Sequence, residues 1–99
     1  MSMPLLEQAR FALWMQLREA QRAYDAAMAP AKMALAAAKE TGDKKHVFDV
    51  YHRDFEPVWF AADVAFRAAR ADAERAFRQA TGLEPWERFN DEPFDIVVP

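Results

Sequence analysis

The side chains best suited to chemistry lie between His46 and Glu56, a stretch that contains two histidines and three acidic residues. On an α-helix at 100° per residue, Asp49, His52 and Glu56 fall within about 60° of one face. One imidazole and two carboxylates in that arrangement could hold a metal ion or serve as an acid–base pair. The pattern lacks a second histidine one turn away, and Pro57 disturbs the register. We therefore expect no metal, and interpret these residues as exposed side chains that pair along the helix.

Nucleophiles are nearly missing from the sequence. There is no cysteine, Ser2 is the only serine, Thr41 and Thr81 are the only threonines, and Gly42 and Gly82 are the only glycines. Covalent catalysis needs an activated Ser, Cys, Thr or Lys next to an orienting base, and a phosphate-binding loop needs several glycines. We predict that the protein is not an enzyme and carries no cofactor.

An arginine-rich stretch is the second candidate site. Its members are Arg67, Arg70, Arg75 and Arg78. Such a face can bind phosphate or carboxylate groups. However, Asp63–Arg67 and Glu74–Arg78 are spaced i,i+4 with the acid first, the favourable order for pairs on an exposed helix. We favour pairing within the helix, and keep Arg67, Arg70 and Arg78 as candidate anion-binding residues of a nucleotide- or anion-binding oligomer.

Charge is distributed unevenly along the chain. The formal net charge is −3, and residues 82–99 hold five acidic residues and one arginine, so residues 1–81 carry +1. A negative chain is a poor binder of the nucleic-acid backbone. The first ten residues lack the basic start of a signal peptide, and charges such as Lys32 and Asp63 interrupt the apolar stretches. We expect no membrane segment and a cytoplasmic location.

Composition favours helices: there are 21 alanines, six valines and one isoleucine. Gly42 and Gly82 stand where a left-handed residue ends a helix, and Asp43 can cap the helix that follows. Ser2 and Pro4 are suited to the start of the first helix. The sequence predicts an all-α fold, an antiparallel helical hairpin over residues 1–82.

Each arm of the hairpin has an apolar stripe with coiled-coil spacing. In the first arm it comprises Leu6, Arg10, Leu13, Leu17, Ala20, Tyr24, Ala27, Ala31, Ala34 and Ala38. In the second arm it comprises Phe55, Val58, Trp59, Ala62, Phe66, Ala69, Ala73, Ala76, Phe77 and Ala80. The many alanines predict that the two helices approach closely.

A proline interrupts each arm, and the two lie at nearly the same distance from the turn. No capping residue precedes Pro30, so we expect a kink in a continuous helix. Asp54 can cap a new helix in which Pro57 occupies the first turn, so we expect a break there. The two prolines predict one shared bend. The alternative is that the break folds the chain into a compact bundle of three or four segments.

Residues 83–99 differ from the hairpin, because they contain three prolines and no helical repeat. Four apolar anchors lie among their acidic residues: Trp86, Phe89, Phe94 and Ile96. We expect an extended segment that docks through these anchors, either on the hairpin or on a partner.

Aromatic residues make up 13% of the chain, more than one seam between two helices can cover. We predict that Trp14 and Trp59, together with the four anchors, contact a protein partner. Self-association is also expected, and a twofold dimer that forms a four-helix arrangement is the simplest closed form.

These properties favour a non-enzymatic protein–protein interaction module, a small adaptor or an inhibitor that occupies a partner's surface. In size, acidity and helical content the chain resembles the small accessory and anti-defence proteins encoded by bacteriophages. The alternative is a structural subunit of a larger assembly such as a phage particle.

Overall fold

The computed structural model describes residues 3–85, with side chains from Pro4 onwards, and the fold is the all-α helical hairpin that the sequence predicts. Helix α1 spans Met3–Glu40, and α2 spans Lys44–Val50. A π-helical turn, Tyr51–Phe55, leads into α3, Glu56–Thr81. Because α2, the π-helical turn and α3 follow without a gap, the second arm is one continuous helical run.

The hairpin turn has the local chemistry expected of it. Gly42 adopts φ +71°, and its N–H donates to the carbonyl oxygen of Lys39 at 3.2 Å. The Asp43 carboxylate then accepts from the N–H groups of Lys45 at 3.0 Å and His46 at 3.3 Å. One helix therefore ends and the next begins within three residues, because each unpaired end finds a partner in the turn itself.

The end of α3 uses the second glycine in the same way. Gly82 adopts φ +71°, and its N–H donates to the Arg78 carbonyl oxygen at 2.7 Å. The Thr81 hydroxyl donates to the Phe77 carbonyl oxygen at 2.8 Å and accepts from the Leu83 N–H at 3.0 Å. These bonds hold the residues after the helix close to its last turn.

The two prolines have different effects on the helices. Pro30 lies inside α1, which continues through it as predicted, while the expected shared bend remains a prediction. The expected break near Pro57 takes the form of a change in helix type: the π-helical turn Tyr51–Phe55 separates α2 from α3, and no non-helical residue lies between them. In a regular α-helix the Pro57 ring would collide with the Arg53 carbonyl. The π-helical turn accommodates it, because the Glu56 N–H bonds to the Tyr51 oxygen five residues back.

The chain divides into two compact units, residues 1–19 with 69–99 and residues 20–68. In the first unit, Leu6 and Leu13 of α1 pack against Ala73 and Phe77 of α3, and Leu83 joins them from beyond the helix. Of the predicted segment 83–99, residues 83–85 fall in this unit and residues 86–99 lie outside the described residues. The division of the chain into a hairpin, residues 1–82, and a separate docking segment, residues 83–99, stays a prediction.

In the second unit, Met28 and Ala31 of α1 pack against Ala62 of α3. The rings of Tyr24 and Phe66 meet edge to face with centroids 5.9 Å apart. Met28 is 1% exposed and is the most deeply buried large side chain, whereas the predicted seam residue Ala27 is exposed.

Candidate interaction surfaces

One side of α3 in the second unit exposes large apolar side chains. We call Trp59, Phe60 and Val64 the Phe60 face; they are 41%, 64% and 51% exposed. Phe60 precedes the buried Ala62 by two positions and Val64 follows it by two, so both project about 160° from it on the helix. Trp59 lies between the core side and this outer side. The seam of the hairpin cannot cover this face.

The residues around the Phe60 face are small or paired. Ala61, Ala65 and Ala68 are exposed. At one border, Arg67 Nε lies 3.1 Å from the Asp63 carboxylate. The face is thus an apolar centre with a charged border, the usual composition of a protein–protein contact surface.

A second aromatic surface lies on α1 in the first unit. We call Phe11, Trp14, Met15 and Arg18 the Trp14 face. The Phe11 and Trp14 ring centroids are 6.1 Å apart, and Arg18 Cζ lies 5.0 Å from the Trp14 ring centroid. Phe11 and Met15 are exposed, while Trp14 is half-buried. A guanidinium over an indole is a cation–π contact, and it leaves the Arg18 N–H groups available at the edge of the face.

The sequence-predicted contact residues therefore have three outcomes. Trp59 belongs to the Phe60 face and Trp14 to the Trp14 face. The predicted anchors Trp86, Phe89, Phe94 and Ile96 lie outside the described residues. No contact role is predicted from the sequence for Val64 and Met15, although their angular distance from the apolar stripes is a signal that could have found them.

The histidine-containing stretch forms an aromatic and polar cluster. His52 Nδ1 lies 3.6 Å from Glu56 Oε2, and the His52 ring lies 4.2 Å from the Phe48 ring and 5.1 Å from that of Tyr51. Within residues 3–85, no three His, Asp or Glu side chains are grouped so that they could hold a metal ion. His52 thus makes the pairing along the helix that its spacing indicates.

Asp54 pairs with its neighbour and does not cap a new helix. Arg53 donates from Nε and Nη2 to the two carboxylate oxygens at 3.0 and 2.9 Å. This hydrogen bonding holds the pKa of Asp54 below its ordinary value. The pair is exposed, so it contributes little to stability.

Each candidate anion-binding arginine lies beside a carboxylate. Arg67 lies 3.1 Å from Asp63, Arg70 lies 3.8 Å from Glu74, and Arg78 lies 2.6 Å from Glu84. The predicted Asp63–Arg67 pair is present, whereas Arg78 hydrogen-bonds Glu84. The Glu84 hydrogen bond raises the pKa of the Arg78 guanidinium. These contacts neutralise the arginines that the anion-binding alternative requires.

An apolar groove of about 200 Å³ runs between α1 and α3 in the first unit, bordered chiefly by Ala9, Ala12, Ala76 and Ala80. Gln16 is its only polar lining residue, so it offers little to hold a charged or polar ligand.

None of the helices within residues 3–85 is long and apolar enough to cross a membrane. No protein-family model, curated protein or solved structure matches the chain.

Proposed function

We propose that the chain is a non-enzymatic protein-binding module, an adaptor or inhibitor, that inserts the Phe60 face into an apolar groove of a partner protein. The observation that supports this is the exposure of Trp59, Phe60 and Val64 within six residues of one helix, with Phe60 and Val64 on the side turned away from the buried Ala62. An anti-defence role and a cytoplasmic location belong to the same proposal.

The geometry of α3 suits this mode of recognition. A helix binds a groove through residues spaced i, i+3 and i+4, and Phe60 and Val64 have that spacing. Aromatic side chains account for a large share of interface hot spots, where truncation costs about 2 kcal/mol or more. Because the face lies on a regular 26-residue helix, little conformational entropy is lost when it binds.

A matched pair of variants tests the proposal. The full-length protein, immobilised, is used to recover partners from an extract of its source cells, in wild-type form, as Phe60→Ser/Val64→Ser and as Met33→Ser. Met33 is 73% exposed on α1 and belongs to neither face, so it controls for the loss of exposed apolar surface. We expect the double variant alone to lose its partner, by about tenfold or more. Equal recovery by all three proteins would refute the proposal.

A second copy of the chain is the alternative occupant of the Phe60 face, and it leads to the structural-subunit function. The observation in its favour is that Phe60 and Val64 are uncharged and could meet their own copies across a twofold axis. Light scattering coupled to size exclusion distinguishes a second copy from a different partner protein. A wild-type mass above the monomer that falls to the monomer in Phe60→Ser/Val64→Ser identifies the second copy. A monomeric wild type excludes a second copy as the occupant of the Phe60 face.

A further inference from the structure

The described residues beyond α3 turn back onto the first unit. Leu83 packs against the cluster of Leu6, Leu13, Ala73 and Phe77. Arg78 Nε donates to Glu84 Oε2 at 2.6 Å, and Pro85 is buried. The first acidic residue of the negatively charged segment is therefore bound by a helix arginine, and the apolar residues on both sides of it are covered.

We propose that residues 86–99 bind in cis to the Trp14 face, with their aromatic anchors on Phe11 and Met15 and a carboxylate on Arg18. This goes beyond the proposed function, since it concerns a different surface in a different unit. It extends the pattern that starts at Leu83 and Glu84, in which an apolar side chain packs and the following acid pairs with an arginine.

The chemistry of residues 86–99 is complementary to that of the Trp14 face. Residues 82–99 carry a net charge of −4, and their apolar anchors alternate with acids. The Trp14 face offers exposed apolar area at Phe11 and Met15, which are 52% and 43% exposed, and a guanidinium held against an indole. A planar guanidinium binds a carboxylate through two parallel N–H groups, so Arg18 can hold one of the acids while the rings pack beside it.

The length of the segment is sufficient. Fourteen residues follow Pro85, and an extended chain of that length reaches about 46 Å. Arg18 lies twelve residues along α1 from Leu6, which is about 18 Å of helix, and Leu83 packs against the cluster to which Leu6 belongs. A segment tethered this near has an effective concentration in the millimolar range, which favours the chain's own Trp14 face over that of another molecule.

Paramagnetic broadening in solution tests the proposal on the full-length protein. The chain has no cysteine, so Asn90→Cys provides a single site for a nitroxide label, and Asn90 is neither charged nor an apolar anchor. We expect the α1 amide signals of residues 8–18 to lose intensity in the oxidised sample relative to the reduced one. In a mixture of isotope-labelled chains without nitroxide and unlabelled chains with it, we expect no loss.

Two variants test the charged contact and the apolar contact separately. Arg18→Glu and Phe11→Ser should each restore part of the lost intensity, whereas Phe60→Ser should restore none. Broadening that persists in the mixed sample identifies the segment of a second copy and overturns binding in cis. The Trp14 face is overturned as the binding site if no broadening occurs or if it is centred outside residues 8–18. It is also overturned if the broadening is unchanged in both Arg18→Glu and Phe11→Ser. The Phe60 face is tested separately by partner recovery, so either proposal can fail alone.

Discussion

At the scale of single residues, two methionines of α1 show how burial decides a residue's role. Met28 is 1% exposed and packs in one cluster with Ala31 and Ala62, whereas Met33 is 73% exposed. The seam that the sequence predicts continues from Tyr24 to Ala27, but the structure continues it to Met28. A helix with 3.6 residues per turn drifts away from a strict seven-residue repeat. A long, flexible methionine can also fill an irregular gap that alanine cannot reach. Sequence spacing alone cannot decide between two adjacent positions of this kind.

Truncating each methionine should therefore give different stability losses. Met28→Ala should lower the free energy of unfolding by about 2–5 kcal/mol, because it leaves a cavity in the core of the second unit. Met33→Ala should change it by less than about 0.5 kcal/mol. Denaturant titration of the two variants beside the wild type measures both values. A loss below about 1 kcal/mol for Met28→Ala would contradict the packing described for this unit.

The Arg53–Asp54 pair should be visible in a pH titration. Arg53→Gln removes both hydrogen bonds to the carboxylate, so the pKa of Asp54 should rise towards the ordinary value of about 3.9. A carboxyl whose pKa is lowered on folding stabilises the fold above its unfolded-state pKa, and that contribution is lost as the pH falls through the folded-state pKa. NMR titration of the Asp54 carboxyl carbon measures the change, and Arg67→Gln is the control. An unchanged Asp54 pKa in Arg53→Gln would show that the pair does not persist in solution.

At the scale of elements, local signals predict the ends of helices better than their interiors. The hairpin turn follows from Gly42 and Asp43, because a left-handed glycine and a carboxylate cap act within a few residues of themselves. The course of the chain at Pro57 does not follow from such signals. Asp54 and Pro57 satisfy the rules for a new helix, yet a π-helical turn also relieves the clash and keeps the second arm continuous. Packing of Phe55 and Val58 in the second unit favours the continuous helix.

Proline to alanine substitutions test the cost of a proline inside α1. Pro30→Ala should raise the free energy of unfolding by about 1–3 kcal/mol, because it restores an N–H donor and removes a clash, and because Pro30 is exposed and loses little packing. Pro4→Ala is the matched control, since an N–H in the first turn of a helix has no partner within the helix. Thermal and denaturant unfolding measure the free energy of unfolding of both variants. A less stable Pro30→Ala variant would show that the proline is needed for the packing around Met28.

At the scale of the whole molecule, one apolar seam does not use all the apolar side chains of the chain. The Phe60 face and the Trp14 face stay exposed in their respective units, and the aromatic excess in the sequence predicts surfaces of this kind. Which residues form them depends on the angle around each helix. Trp59 and Trp14 are found because tryptophan is conspicuous in a sequence, whereas Val64 and Met15 are found only when their angles are measured from the predicted apolar stripes.

The binding role of the Phe60 face is tested most directly by cross-linking in the source cells. A photoreactive benzoylphenylalanine is placed at position 60 of the full-length chain, and at position 33 in the control, because both side chains are exposed in the second unit. We expect one discrete adduct from position 60 after irradiation, heavier than the chain by the mass of its partner and absent from position 33. An adduct with the mass of two chains would identify a second copy. No adduct from position 60, or the same products from both positions, would show that the Phe60 face is not a binding surface.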